Sequence, residues 1–249
     1  MTTEPGTPAT AGVGDRVPGA ERRSGATVPV RIFLQARMSS ARFPGKMLAP
    51  FRGRPLVAQV LASVQRALPS LPVVVATSDD PTDDPLARYV ETLRVPVFRG
   101  PLEDVFERFR RCVAAHPCEW ILRLSGDSPL LDARVLQAVA GCADDATLDL
   151  ATTIFPRTWP KGYNAELLRA RTFLAVDTRL LTADDREHVT PYFYRHAEQF
   201  HIRNIASEDP RLAVLSAAVD TCEDLQRLEA LSEEELRAWA HREPSPQRR

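Results

Sequence analysis

Histidine, cysteine and tryptophan are scarce in this chain, and the scarcity excludes several chemistries at once. Its 249 residues hold 5 His, 4 Cys and 3 Trp. The cysteines, Cys112, Cys118, Cys142 and Cys222, form no C-x-x-C pair, so neither a zinc site nor a dithiol redox centre is indicated. Thiols without that pairing fit a reducing, cytosolic compartment. An excess of one charge is also missing: 32 Lys and Arg against 33 Asp and Glu leave a net charge of −1. No overall field draws such a chain to nucleic acid or an anionic membrane, and no basic face interleaved with aromatics suggests an RNA or DNA ligand. No apolar run approaches the roughly 18–20 residues of a membrane span. Residues 1–28, rich in Thr, Pro, Gly and Ala, lack the apolar core of a secretion signal and read as a disordered tail; residues 241–249 read as a second frayed end. What is present is ordinary for a globular chain, 44% hydrophobic and 26% charged residues, and supports one large domain expected at 29–240.

Between the tails, apolar stretches of strand length alternate with amphipathic stretches of helical length. Arg31–Leu34, Val73–Thr77, Val95–Phe98 and Trp120–Leu124 read as strands, and Leu56–Ala67, Pro85–Leu93, Glu103–Ala115 and Ala133–Cys142 as helices. Continuous apolar strands separated by single helices predict an α/β fold, a mainly parallel sheet covered by helices on both faces. The second half is less regular. Leu148–Ile154, Asn164–Leu168, Phe200–Ile205 and Leu212–Val219 read as strands, and Ala170–Asp177, Arg186–His196 and Glu223–Leu231 as helices. No internal repeat is visible. In open sheets of this kind ligands bind beyond the carboxyl ends of the strands.

Two segments fall at such ends. Gln35-Ala-Arg-Met-Ser-Ser-Ala-Arg-Phe-Pro-Gly-Lys46 follows the first strand and carries Arg37, Arg42 and Lys46, with Pro44-Gly45 forcing a turn before the lysine. Fixed cations on a hydroxyl-rich turn with exposed backbone N–H groups suit a polyphosphate. This is not a Walker A loop, because Ser40 stands where its first glycine belongs and Met47 where its Ser or Thr belongs. Ser125-Gly-Asp-Ser-Pro129 ends the Trp120–Leu124 strand and offers Asp127. A second carboxylate, Asp220, closes the apolar run Ala213–Val219. Polyphosphate chemistry near neutral pH usually needs a divalent cation, and magnesium takes one or two carboxylates plus phosphate oxygens and water. Each aspartate also has a plainer reading: Asp127 as a turn or cap residue, and Asp220 as a helix cap with Glu223 three residues on. Asp104 and Arg108, four apart on an expected helix, read as an intrahelical ion pair.

These segments resemble the signatures of the sugar cytidylyltransferases, enzymes that activate acidic sugars such as neuraminate or 3-deoxy-manno-octulosonate with CTP. The likeness runs from about Arg31 to Leu231 and is similar to the branch of spore coat polysaccharide biosynthesis cytidylyltransferase-like proteins. It rests on the cationic loop, on Gly126-Asp-Ser-Pro129, on Lys161-Gly-Tyr-Asn-Ala-Glu166, on Arg186-Glu-His-Val-Thr190 and on Val219-Asp-Thr-Cys-Glu-Asp-Leu225. The resemblance implies the nucleotide-diphospho-sugar transferase architecture, transfer of CMP from CTP to a sugar acid or related small acceptor with release of pyrophosphate, and Mg2+ as cofactor. Carried over residue by residue, it makes Asp127 and Asp220 metal ligands and Arg37, Lys46 and Asp127 the catalytic set, with Arg42 helping at the phosphates. It bounds the nucleotide by Gln35, Ala36 and the turn Thr77, Ser78, Asp79, with a weaker assignment of Arg99 and Gly100, and it assigns Lys161, Asn164, Glu166 and His188 to the acceptor. Relatives are commonly dimers, so a homodimer is the assembly the resemblance allows.

The chain departs from the family pattern at three places. Asn164 replaces an aspartate, Cys222 replaces a proline, and Ser216-Ala-Ala218 replaces a large residue before the late aspartate. These departures keep a non-catalytic nucleotide-binding pathway partner among the readings. A glycosyltransferase using a nucleotide-sugar is the other alternative, disfavoured because no Asp-x-Asp stands at a strand end.

Overall fold

The computed structural model describes residues 28–232, 234–235 and 244–247. Its strands, in chain order, are β1 (Val28–Gln35), β2 (Pro50–Phe51), β3 (Arg54–Pro55), β4 (Val73–Ser78), β5 (Val97–Gly100), β6 (Cys118–Ser125), β7 (Leu150–Thr152), β8 (Ala165–Arg169), β9 (Ile202–Ser207) and β10 (Pro244–Gln247). The α-helices are α1 (Leu56–Ala67), α2 (Asp84–Thr92), α3 (Val105–Ala115), α4 (Ala133–Gly141), α5 (Ala170–Leu174), α6 (Ala183–His188), α7 (Pro191–Arg195) and α8 (Cys222–Glu229). Eight strands form one sheet in the order β10-β9-β7-β8-β6-β1-β4-β5, and β2 and β3 form a separate ribbon.

The strands of the first half are mutually parallel, with β1 between β4 and β6 and β5 beyond β4. Side chains alternate across β1. Val30, Ile32 and Leu34 enter the core that receives α1, α2 and α4, whereas Phe33 joins the opposite core with Phe106, Phe109 and Phe173. A strand buried on both faces must be apolar at every position, which is why β4 reads Val-Val-Val-Ala and is buried throughout. β8 runs antiparallel to both β6 and β7, making the sheet mixed.

The second half departs from its sequence reading in three ways. The expected strand Leu212–Val219 is a 3-10 turn over Pro210–Val214 followed by an extended stretch whose bridge is between Ser216 and Lys161. The expected helix Arg186–His196 is two helices, α6 and α7, because Val189 takes φ 72°, ψ −51°, and Pro191 then opens the next helix. Four residues of the expected C-terminal tail, 244–247, pair antiparallel with β9 as an edge strand. The expected N-terminal tail lies outside the described residues apart from Val28, which begins β1. The Asp104–Arg108 ion pair does not form either. Arg108 is fully buried and donates to the carbonyls of Pro101 and Leu102, while Asp104 caps α3 through Glu107 N and meets Arg186. Burial, and next the charge of Arg37, lower the Arg108 pKa to about 10. No helix among the described residues is long and apolar enough to cross a membrane.

Candidate active site

β1 and β6 are neighbours in register, Gln35 opposite Ser125, so the loops leaving them start side by side. Gly126 N donates to Gln35 O at 2.8 Å, and a Cβ on Gly126 would lie 3.0 Å from Met47 Sδ and 3.1 Å from Ala36 Cβ. That close approach packs the cationic loop against the Asp127 turn. Beyond them opens a cleft of about 390 Å3, lined by residues of both loops, by Lys161, Gly162, Asn164 and Glu166, by Glu187 and His188, and by Ala218 and Asp220.

Lys46 is the centre of the wall built by the loops after β1 and β6. Gly45 takes φ 79° before it, a conformation glycine adopts at no steric cost. The lysine is buried, with its ammonium 2.9 Å from Asp127 Oδ2, 3.7 Å from Asp220 Oδ1 and donating to Val219 O at 2.7 Å. Ser125 and Ser128 hydroxyls donate to Asp127 Oδ1 at 2.7 and 3.3 Å. Asp220 also meets Arg42 at 3.1 Å and forms a short ion pair with Lys161. Burial pushes the Asp220 carboxyl up, but the Lys161 hydrogen bond and the charges of Lys161, Lys46 and Arg42 outweigh it and hold the group below its ordinary range. Helix capping does not use Asp220. The capping box of α8 is one residue later, Thr221 with Asp224, which leaves the Asp220 carboxylate turned to the cleft. The cap of α4 is likewise Asp132, not Asp127.

Thr77 and Ser78 do not bound the cleft, a correction to the sequence reading. Both are fully buried, and their side chains donate to the carboxylate of Asp83, which is itself fully buried. Ser78 N donates to the same oxygen, and Met38 N donates to Asp83 Oδ1 at 2.6 Å. Asp83 thus ties the β4 turn to the cationic loop next to Arg37. Asp79 is exposed and gives its N–H to Gly100 O, and Arg99 is spent on the carbonyls of Ser78 and Asp80 and on Asp84. Neither lines the cleft, nor does Gly100.

The opposite wall is assembled from more distant pieces. Lys161 N donates to Leu215 O and Ala217 N donates to Lys161 O, pinning this loop on Ser216-Ala-Ala218. Gly162 is required here, since a Cβ on it, at φ 96°, would come 2.6 Å from the Ala217 carbonyl carbon. Glu166 is only 1% exposed and accepts from Thr190 Oγ1 at 2.7 Å and Tyr194 OH at 2.6 Å, besides a short ion pair with Arg123. Its main role is therefore to anchor Arg123, which donates in turn to Gln35 Oε1 at 2.8 Å. Burial, and then Glu166, push the Tyr194 hydroxyl well above its ordinary pKa, so it stays a donor. Asn164 Oδ1 accepts from Arg157 at 2.8 Å. His188 stands exposed at the rim, 3.7 Å from Asp184. Thr190 N closes onto His188 O around the strained φ of Val189, a γ-turn that swings Thr190 to Glu166. Arg37 reaches across the mouth to Glu187 at 3.1 Å.

Arg123, Ser125, Ser128, Asp83, Arg157 and Glu187 are the site residues the sequence reading did not single out. Ser125 and Ser128 flank Asp127 and could have been found by that adjacency, whereas the partners of Arg123 and Glu187 are distant in sequence. Among the described residues no group of three or more His, Cys, Asp or Glu could hold a metal. Two converging carboxylates suit a cation that completes its shell from phosphate oxygens and water, as magnesium does.

A mixed α/β sheet with a cation-lined cleft at its carboxyl edge defines a nucleotide-handling transferase. Residues 32–241 match the cytidylyltransferase family. The chain is 30% identical to the spore coat polysaccharide biosynthesis protein SpsF of Bacillus subtilis over 81% of its length and 85% of that protein's. It is 35% identical to 3-deoxy-manno-octulosonate cytidylyltransferase 2 of Burkholderia ambifaria over 51% of this chain and 48% of that one. A solved cytidylyltransferase from Leptospira borgpetersenii superposes with a TM-score of 0.78 at 26% identity, covering 85% of this chain and 92% of that one. The chain belongs to the cytidylyltransferase family.

Proposed function

We propose that this chain transfers CMP from CTP to a sugar acid and releases pyrophosphate. The observation that carries the reading is the buried Lys46 ammonium set between Asp127 and Asp220 at a cleft that Arg37 and Arg42 also line. An acceptor oxygen attacks the α-phosphorus, forming the new P–O bond as the bond to the bridging oxygen of pyrophosphate breaks. Lys46, Arg37 and Arg42 face the charge that accumulates on the leaving group, where fixed cations act without reorganising. Magnesium held by Asp127 and Asp220 would neutralise phosphate charge there. Gln35 and Ala36 border the nucleotide, and the 161–166 segment with His188 borders the acceptor. The family resemblance supports a cytosolic homodimer as the working form.

Pyrophosphate release tests the reading, measured with magnesium, each of the four ribonucleoside triphosphates and a panel of sugar acids. Release is expected only with CTP plus an acid, and is expected to vanish in Asp127→Ala. Turnover of a nucleotide-sugar to free nucleotide, or magnesium-dependent CTP binding without pyrophosphate from any acceptor, would replace it with the glycosyltransferase or the non-catalytic reading.

A further inference from the structure

Asp220 is held from both walls of the cleft. Arg42 lies 3.1 Å from its Oδ2 and Lys46 3.7 Å from its Oδ1, while Lys161 reaches Oδ2 from the opposite side in a short ion pair. Asp127 pairs with Lys46 through Oδ2 and accepts from two hydroxyls at Oδ1. Among the described residues the two carboxylates thus face three cations, one positive charge in excess. The three cations are not equivalent. Lys46 is buried and also donates to Val219 O, so its ammonium is fixed. Arg42 is exposed and stands on the loop proposed for phosphate. Lys161 has an anchored backbone, bridged to Ser216 and hydrogen-bonded to Leu215 and Ala217. Its side chain is half exposed, and among the described residues Asp220 is the one side chain its ammonium meets. Such a lysine can release its partner without disturbing the fold.

We infer that Lys161 is an internal counter-cation for Asp220: it holds the carboxylate oxygen that a divalent cation would take, and so sets the affinity for that cation. This rests on the reading of Asp127 and Asp220 as metal carboxylates, and it gives Lys161 a part in the site other than contact with the acceptor. The excess positive charge opposes a dication on the bare chain. A triphosphate that draws Lys46 and Arg42 to its own oxygens removes much of that opposition and leaves Lys161 as the remaining competitor. Lys161 acts through Asp220 and is a positioning residue.

The test is binding of the cation itself, independent of turnover. Manganese shares the preference of magnesium for oxygen ligands, and its free ion is counted by electron paramagnetic resonance as the whole chain is titrated without nucleotide. Loss of a half-exposed ion pair, together with loss of the repulsion between its ammonium and an entering dication, corresponds to about three- to tenfold in affinity. Lys161→Met is expected to bind manganese more tightly than wild type by that factor. Lys161→Arg, which keeps the charge beside Asp220, is expected to stay within about twofold of wild type. Asp220→Asn added to Lys161→Met is expected to remove the gain. An affinity unmoved in Lys161→Met, an equal gain in Lys161→Arg, a gain that survives Asp220→Asn, or no manganese bound by any of the chains overturns the assignment. A gain in Lys161→Met without pyrophosphate release by wild type supports the assignment while sinking the transfer reaction. Magnesium-dependent release with an unmoved manganese affinity does the reverse.

Discussion

The two walls of the cleft are built by different means. The wall proposed for the nucleotide comes from loops at the ends of adjacent parallel strands, β1 and β6, and its charged groups lie in two contiguous segments, Arg37–Lys46 and Ser125–Ser128, joined by Asp220 from far along the chain. The acceptor wall is drawn together from β8, the α6–α7 elbow and the stretch before Asp220, by contacts between residues far apart in the chain. Glu166 meets Arg123, Thr190 and Tyr194, and Lys161 meets Leu215 and Ala217. The difference teaches that in this fold the cations proposed for phosphate are a local property of the sequence. The shape for the acceptor is a tertiary one.

The largest expected effect breaks the nucleotide wall at its centre. Lys46→Ala removes the ammonium shared by Asp127 and Asp220 and leaves the two carboxylates facing each other without it. Loss of one such preorganised group corresponds to about 3 kcal/mol, so kcat is expected to fall by about 10²–10³ while far-UV circular dichroism is unchanged. Near-wild-type turnover in a folded variant would mean that Arg37 and Arg42 suffice for the phosphates.

How the sequence was legible follows the same division. Parallel strands buried on both faces read as unbroken apolar runs, so β1, β4 and β6 and the helices between them were visible from periodicity, and the motifs at their ends came with them. Asp127 and Asp220 could be named because each closes such a run, yet the sequence also allowed them as caps. Only the structure shows the cap of α8 passing to Thr221 and Asp224. Thr77 and Ser78 were misplaced because a hydroxyl turn at a strand end looks the same whether it meets a ligand or a buried carboxylate, and Asp83 is that carboxylate. Leu212–Val219 was apolar enough for a strand, but its backbone goes to Lys161 in a single bridge. Nothing in the composition of Arg186–His196 announces a γ-turn at a β-branched residue; Pro191 alone hinted at the break.

Asp83 sharpens the comparison, because it is a tertiary device on this wall, joining the β4 turn to the loop after β1. Asp83→Asn keeps an oxygen for Met38 N but sets an NH2 against the donors from Thr77 and Ser78. A buried donor left without its partner costs about 1–3 kcal/mol, so chemical denaturation should show a loss of about 2 kcal/mol. If Asp83 also fixes the cationic loop, KM for CTP rises several-fold and KM for the acceptor does not move. Equal changes in both constants would make Asp83 a purely structural residue.

The smallest effect is expected where the walls touch. Arg37 and Glu187 form an ion pair across the mouth, with side chains 31% and 50% exposed. Pairs this exposed contribute between zero and about 1 kcal/mol, because solvent screens them and two long side chains must be held in one geometry. Glu187→Gln should therefore change stability by less than about 0.5 kcal/mol. Its effect on the nucleotide has the opposite sign from the other two variants: a triphosphate must displace Glu187 to engage Arg37, so removing the charge should tighten CTP binding about two- to threefold. The gain should shrink as ionic strength rises, since salt already weakens the competing pair. Measured by calorimetry at two salt concentrations, a tighter complex makes Glu187 a competitor held by the acceptor wall. A weaker one makes it the group that orients Arg37, and the two walls would then be coupled before any ligand arrives.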